Sequence, residues 1–470
     1  MTAIAFPSRI ALSIVVAGAL AACTASRNDN VGPTPTPSPT PTPAPTPAPD
    51  PNKTAADKTF DQGQQTFRFD TFGDEAFWTG KLRMNEAVAG VNPTVALRVG
   101  LKVDADSLPA SVVAGVQNGS ISLTDPKTTI ALLGLNAVVG VKAVPNATQT
   151  GLTSFGITCA LCHSTVDNSF APGIGHRLDG WPNRDLNVGA IVSLSPDLSV
   201  VANLLGVDPG DPVNAPTVKT VLKSWGPGKF DAELFMDGKA SRPDGSPAAT
   251  LIPPAFGLRG VNLHTYTGWG SITQWNAFVA VLEMHGVGNY TDARLDDAAR
   301  FPIAAANKFG HVSVPAASDQ VSSKLGALEF YELALEAPAA VAGTDFDKAA
   351  ADRGKAVFEG GGKCATCHTA PLYTDAGWNM HTGGEIGIDN FQASRSPDPT
   401  GDHYRTTPLR GLFSHDKFSS LNPKRVSGYY HDGRFVTLKD VVDHYAAIPA
   451  LGVSLQGTDE ADLIEYLKSL

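Results

Sequence analysis

Cys159-Ala160-Leu161-Cys162-His163 and Cys364-Ala365-Thr366-Cys367-His368 decide how this chain is read. Cysteines at i and i+3 share one face of a short helical turn, so both sulfurs reach the same neighbour, and the adjacent histidine presents an imidazole beside them. A structural zinc site needs four ligands and would keep one metal per pair of motifs. A thioredoxin-like pair needs no histidine in that place. Repetition of the whole five-residue motif, with no ligands to spare, points to thioether attachment of two haem c groups through Cys159, Cys162, Cys364 and Cys367. His163 and His368 then bind the irons. The motifs lie far apart in the chain, which predicts two separate domains rather than a packed multihaem wire.

The fifth and last cysteine is Cys23. Arg9 precedes an apolar run over residues 10–22 that is too short to span a bilayer comfortably and has the length of a signal-peptide core. It closes on Leu20-Ala21-Ala22-Cys23, which looks like a bacterial lipobox. The expectation is a signal peptide over 1–22 and lipidation of Cys23. Thr24, rather than Asp, follows the cysteine and favours the outer membrane, so the chain reads as a periplasm-facing lipoprotein of a Gram-negative bacterium. Residues 23–58 are assigned to the anchor and a linker, because the alternating proline tract over 32–51 should be extended, solvated and semi-rigid.

At 470 residues with 42% hydrophobic and 17% charged residues, the chain is long enough for two or three domains. A formal charge of -10 excludes nucleic acid as a partner, which would require a basic face, and suits a small basic redox protein. Residues 59–150 form an N-terminal extension of unassigned role, in which the apolar stretch 128–144 reads as buried core. Residues 347–358 predict a helix stopped by Gly360-Gly361-Gly362. Thr458 is expected to cap a C-terminal helix with Leu463, Ile464, Leu467 and Leu470 on one stripe. Ile252-Pro253-Pro254-Ala255-Phe256-Gly257-Leu258-Arg259-Gly260 echoes loosely in Thr406-Thr407-Pro408-Leu409-Arg410-Gly411-Leu412. The fold expected is mostly α: two class I cytochrome c-like haem domains with long loops, over 151–330 and 345–470, preceded by the extension.

The last hundred residues resemble the second haem domain of the di-haem cytochrome c peroxidase superfamily. The matching pieces are Tyr373-Thr374-Asp375, Asn379-Met380-His381-Thr382-Gly383, Tyr404-Arg405-Thr406-Thr407-Pro408-Leu409-Arg410 and Tyr429-Tyr430-His431-Asp432-Gly433. The resemblance implies a distal iron ligand in the helix after His431, at Tyr445, where the peroxidases usually carry Met and the MauG-like branch carries Tyr. His444 is the alternative ligand, and a packed core aromatic the alternative role. Arg405, Arg410 and Arg434 are candidates for pairing haem propionates. In the first domain, Gly173-Ile174-Gly175-His176 matches a Gly-His loop whose histidine caps the resting iron and leaves on activation. Val213-Asn214-Ala215-Pro216 and Phe235-Met236-Asp237-Gly238-Lys239 resemble two further family segments.

Two departures stand out. Met236 occupies the place of an inter-haem Trp, and residues 240–273 contain no Gln or Glu where the family has its distal-pocket pair. The catalytic proton shuttle would then fall to His176, His264 or a water. Trp225, Trp269 and Trp275 read as core aromatics or as electron relays, and Met284-His285 as a helix-surface pair or a distal ligand. What the resemblance implies is an oxidoreductase that reduces hydrogen peroxide with electrons from a small donor of cytochrome c or cupredoxin type. A pure electron carrier and a haem oxygenase similar to the rubber oxygenases are the alternatives.

Overall fold

Proline at a first helical position forfeits no hydrogen bond, and helix α1 (Pro51–Phe69) opens on one. The folded chain thus begins ahead of the expected Thr59, and residues 51–58 are helical rather than linker. The computed structural model describes residues 51–208, 214–377, 379–398, 401–417 and 428–470. The signal segment 1–22, Cys23 and the proline tract up to residue 50 lie outside the described residues, as does Val213.

Residues 59–150 are woven into the first half rather than set apart as an extension. Helix α2 (Pro126–Gly134) buries Ile130, Leu132 and Leu133. Strand β1 (Val103–Asp104) pairs in parallel with a later strand through Val103 and Ile174, and β2 (Val141–Pro145) pairs antiparallel with β3 (Leu152–Ile157). Val103, Ile130, Phe155, Leu186 and Leu234 share one hydrophobic core. β3 runs directly into the first Cys-x-x-Cys-His turn, so the ladder fixes where that motif sits. Helix α3 (Leu234–Asp237) and α4 (Ile272–Phe278) follow, and α5 (Leu325–Ala334) packs along α1. The contact at Gly63 is close enough that a Cβ there would stand 2.0 Å from the Ala327 carbonyl oxygen.

The second motif is enclosed by α6 (Lys348–Glu359), α7 (Leu438–Ala446) and α8 (Asp459–Ser469). Their apolar faces meet in a small core of Phe358, Leu438, Val442, Leu463, Tyr466 and Leu467. Asp347 caps α6 by accepting from the Ala350 N–H at 2.7 Å, and Thr437 and Asp440 close a reciprocal capping box on α7. Thr458 does not cap α8 as expected; its hydroxyl donates to Asp462 instead, at 2.9 Å. Among the described residues the strands make six two-stranded sheets, so the fold is mixed helical with few short strands. No helix among them is long and apolar enough to cross a membrane.

The described residues from 51 onward pack as one compact unit. A buried ion cluster ties its halves together. Arg395, just after the short helix Phe391–Ser394, bonds Asp231 at 2.9 Å and Asp237 at 2.8 Å, with all three side chains sealed from solvent. Removing one member of such a cluster leaves an uncompensated buried charge. Arg395→Met is therefore expected to destabilise the unit by about 3–5 kcal/mol; the urea midpoint measures it, and an unshifted midpoint would remove the cluster from the stability account.

Candidate functional site

The first motif turns at the end of β3, with Ala160–His163 forming a single helical turn. His163 Nδ1 lies 3.1 Å from the Pro253 carbonyl oxygen. A carbonyl only accepts, so Nδ1 carries the proton and Nε2 keeps its lone pair. Burial lowers the imidazole's pKa to about 4, so it is neutral at pH 7, as a metal ligand must be. Burial pushes the Cys159 and Cys162 thiols well above their ordinary range. Neutral thiols in apolar surroundings suit thioether formation better than a thiolate zinc site.

The second motif repeats the device. Lys363 adopts a left-handed conformation (φ 57°) ahead of a 3-10 turn at Cys364–Thr366. His368 Nδ1 lies 3.0 Å from the Tyr373 carbonyl oxygen, and the Thr407 carbonyl also acts on the ring. The internal echo now has a physical meaning: Pro253 and Thr407 each precede a proline and each turns its carbonyl toward a motif histidine. Beside His368 opens a cavity of about 300 Å³ bounded by Cys364, Cys367, His368, Tyr445 and the apolar Leu438, Val441, Val442 and Leu467. Pro253 and Pro254 of the first half also reach it.

Tyr445, partly buried on α7, is the member of the His444–Tyr445 pair that meets this cavity. Burial raises its phenol pKa, while the neighbouring Tyr430 hydroxyl favours the ionised form. His444 points elsewhere, with Nε2 bonded to the Ile386 carbonyl at 2.8 Å. The imidazole with a free Nε2, two cysteines, an oxygen donor and a large apolar cavity together fit a covalently held porphyrin.

Other expected residues separate from this picture. Arg405 and Arg410 line the cavity, but Arg434 does not, because Asp432 and Asp389 hold its guanidinium. His176 is not built as an iron cap or proton shuttle: its ring is about half exposed, bonded to Asp106 at 2.9 Å and edge-on to Phe170. His264 is buried, but Nε2 is bonded to the Val261 carbonyl at 3.0 Å, and the neighbouring charge is Arg405, which places it by the second cavity rather than the first motif. Trp269, Trp275 and Phe278 stack among themselves, Trp225 lies edge-on to Phe230, and Met236 is fully buried.

Two acids near the first motif escaped sequence reading. Glu283 ends a π-helical turn (Val279–Glu283) after α4; such widened turns concentrate at functional sites. Its charge reaches the Cys162 thiol, and its Oε1 is buried without a partner. Glu233 stands at the N-terminus of α3 without capping it, accepting from Gln392 at 2.6 Å through Oε1 while Oε2 has no partner. Burial holds Glu233 up to about 7, and burial with Glu233 alongside holds Glu283 up to about 8. His285 stacks on Phe77 at 3.6 Å with Nε2 unpartnered. The 240–273 window excluded both acids because they flank it; the π-turn is invisible in a local pattern.

No known protein-family model matches the chain, and no curated protein does. Among solved structures it is similar to a MauG-like protein associated with microbial copper homeostasis, at 18% identity over 50% of this chain and 77% of that one, with a TM-score of 0.29. A hydrazine synthase from Kuenenia stuttgartiensis is similar at 17% identity over 51% of this chain and 86% of that one, also at 0.29. Likeness at that level carries no argument about family or activity, so the reading rests on the geometry.

The acids predict a pH dependence. The unfolded chain releases the Glu283 proton near pH 4.5, whereas the folded chain holds it to about 8, so stability falls as pH rises through that window. Glu283→Gln cannot ionise and should shrink the fall by a few kcal/mol, on the order of 1.4 kcal/mol per pH unit. Urea midpoints at pH 5 and pH 8 should converge in the variant; an unchanged gap would mean that Glu283 ionises freely in the fold.

Proposed function

We propose that this chain is an exported di-haem c-type oxidoreductase that reduces hydrogen peroxide with electrons from a small redox protein of cytochrome c or cupredoxin type. The observation that carries the reading is the matched pair of half-buried imidazoles. Each follows a cysteine pair, and each gives Nδ1 to a backbone carbonyl so that Nε2 is left for a metal. Bound at the two motifs, haem iron would supply the one-electron redox chemistry. Cys159, Cys162, Cys364 and Cys367 would hold the porphyrins, and His163 and His368 would be the proximal ligands. Tyr445 is the candidate sixth ligand beside His368, an oxygen donor that favours the ferric state. Substrate chemistry then belongs to the first motif.

Reduction of one hydrogen peroxide to two waters consumes two electrons and two protons. The electrons come one at a time from the donor protein, and the protons need a group that retains them near neutral pH. Glu283 meets that need. Burial of the carboxyl keeps it protonated at pH 7, its Oε1 is shielded and unpartnered, and the Glu233 charge acts on it. Lipidation at Cys23 and the proline tract as spacer belong to the same proposal, placing the unit on the periplasmic face of an outer membrane.

Covalent haem is checked on a denaturing gel. Wild type should keep haem peroxidase staining after acidified acetone, Cys364→Ala/Cys367→Ala should lose about half, and a colourless protein would end the reading. Activity is checked with a reduced small cytochrome c and peroxide. Glu283→Gln is expected to lower kcat/KM by about 10²–10⁴-fold at unchanged haem content. A wild-type protein that ignores peroxide, and whose ferrous form ignores carbon monoxide, is an electron carrier instead.

A further inference from the structure

The cavity beside His368 contains a feature that neither the cysteines nor Tyr445 explain. Arg184 enters it from the first half of the chain, and its Nε and Nη1 are shielded from solvent without a hydrogen-bond partner. Arg405 enters from the second half, donates through Nη1 to the Leu263 carbonyl at 3.0 Å, and leaves Nε shielded and unpartnered. The Tyr266 phenol also lines the cavity, bonded to Arg184 and within the field of both cations. Among the described residues bounding the cavity, the one carboxylate is Glu385, which is mostly exposed and accepts from the Thr382 N–H. Arginine does not shed its proton, and an isolated buried charge costs several kcal/mol. Two such charges facing one cavity require anions inside it.

Resting on the haem reading above, we propose that Arg184 and Arg405 bind the two propionate carboxylates of the haem attached at Cys364 and Cys367. A haem carries two carboxylates, and of the three guanidiniums bordering the cavity Arg184 and Arg405 keep shielded N–H groups without a partner, while Arg410 donates to the Gly257 and Pro371 carbonyls. The planar fork of arginine suits bidentate pairing with a carboxylate, which the point charge of lysine does not. Burial lowers the pKa of both groups, Arg405 to about 10, the response of cations held without counter-ions. Arg184 makes the site a joint property of the two halves. It follows the Trp181-Pro182-Asn183 turn, where the Asn183 N–H bonds the Cys162 carbonyl at 2.8 Å, and its charge acts on the His163 imidazole. One guanidinium therefore serves the second haem while anchored on the backbone of the first motif.

The test uses the full-length holoprotein and needs no substrate. Resonance Raman spectra report the propionate bending modes, and a spectroelectrochemical titration reports each haem separately. Pairing with a cation offsets the carboxylate charge that favours ferric iron. Arg184→Leu should therefore shift a propionate band and raise the ferric-to-ferrous ratio of the second haem at fixed potential by about threefold to tenfold. Arg184→Lys should recover most of the ratio and not the band, which also serves if the leucine variant fails to fold. Haem-loaded variants with the wild-type band and ratio at the second haem would overturn the assignment, as would a change confined to the first. A protein that never acquires haem fails the underlying reading instead, and the pyridine haemochrome assay distinguishes that case.

Discussion

Each motif histidine surrenders one nitrogen to a backbone carbonyl, and the rest of the site depends on that bond. An imidazole has two nitrogens and, when neutral, one proton. Fixing the proton on Nδ1 by the Pro253 carbonyl for His163, and by the Tyr373 carbonyl for His368, fixes the lone pair on Nε2 and the plane of each ring. Burial keeps both rings neutral at physiological pH. The motif places an imidazole beside two sulfurs; the carbonyl decides which atom of it is available.

The Tyr373 carbonyl is local to its histidine, whereas the Pro253 carbonyl comes from a segment 90 residues away, and at that segment the halves of the chain become one object. Pro253 serves His163 on one side and borders the His368 cavity on the other. Arg395 locks the segment after Phe391–Ser394 onto Asp231 and Asp237, and beside this lock Gln392 donates to Glu233. Glu233, whose charge acts on Glu283, is thus positioned in part by a residue of the second half. Such sharing gives a physical reason for a single compact unit: neither site keeps its lining if the halves separate.

The buried polar groups divide into two kinds. Arg395 is fully paired and contributes rigidity. Glu233, Glu283, Arg184 and Arg405 are buried with polar atoms unmatched, an arrangement that costs free energy unless a ligand or a transferable proton completes it. The acids cluster by the first motif and the arginines by the second, so the retained protons and the unmatched cations occupy different ends of the pair. Tyr445 follows the same logic, with burial opposing ionisation and Tyr430 partly offsetting it.

Local pattern in the sequence determined which atoms are bound next to one another. The Cys-x-x-Cys-His spacing and the α6 and α8 helices follow from offsets of three and four along one chain, the choice of Tyr445 followed from the family resemblance, and the Pro253–Thr407 echo was visible before its role was. Four matters rested on tertiary structure alone. They are the rejection of His176 and Arg434, each satisfied by a surface or neighbouring carboxylate, the joining of residues 59–150 to the first core, the gathering of Glu233 with Glu283, and the arrival of Arg184 at the second cavity. Whether a charged side chain is free or paired depends on which distant backbone brings it a partner. That is a property of long-range packing, and no window of neighbouring residues contains it.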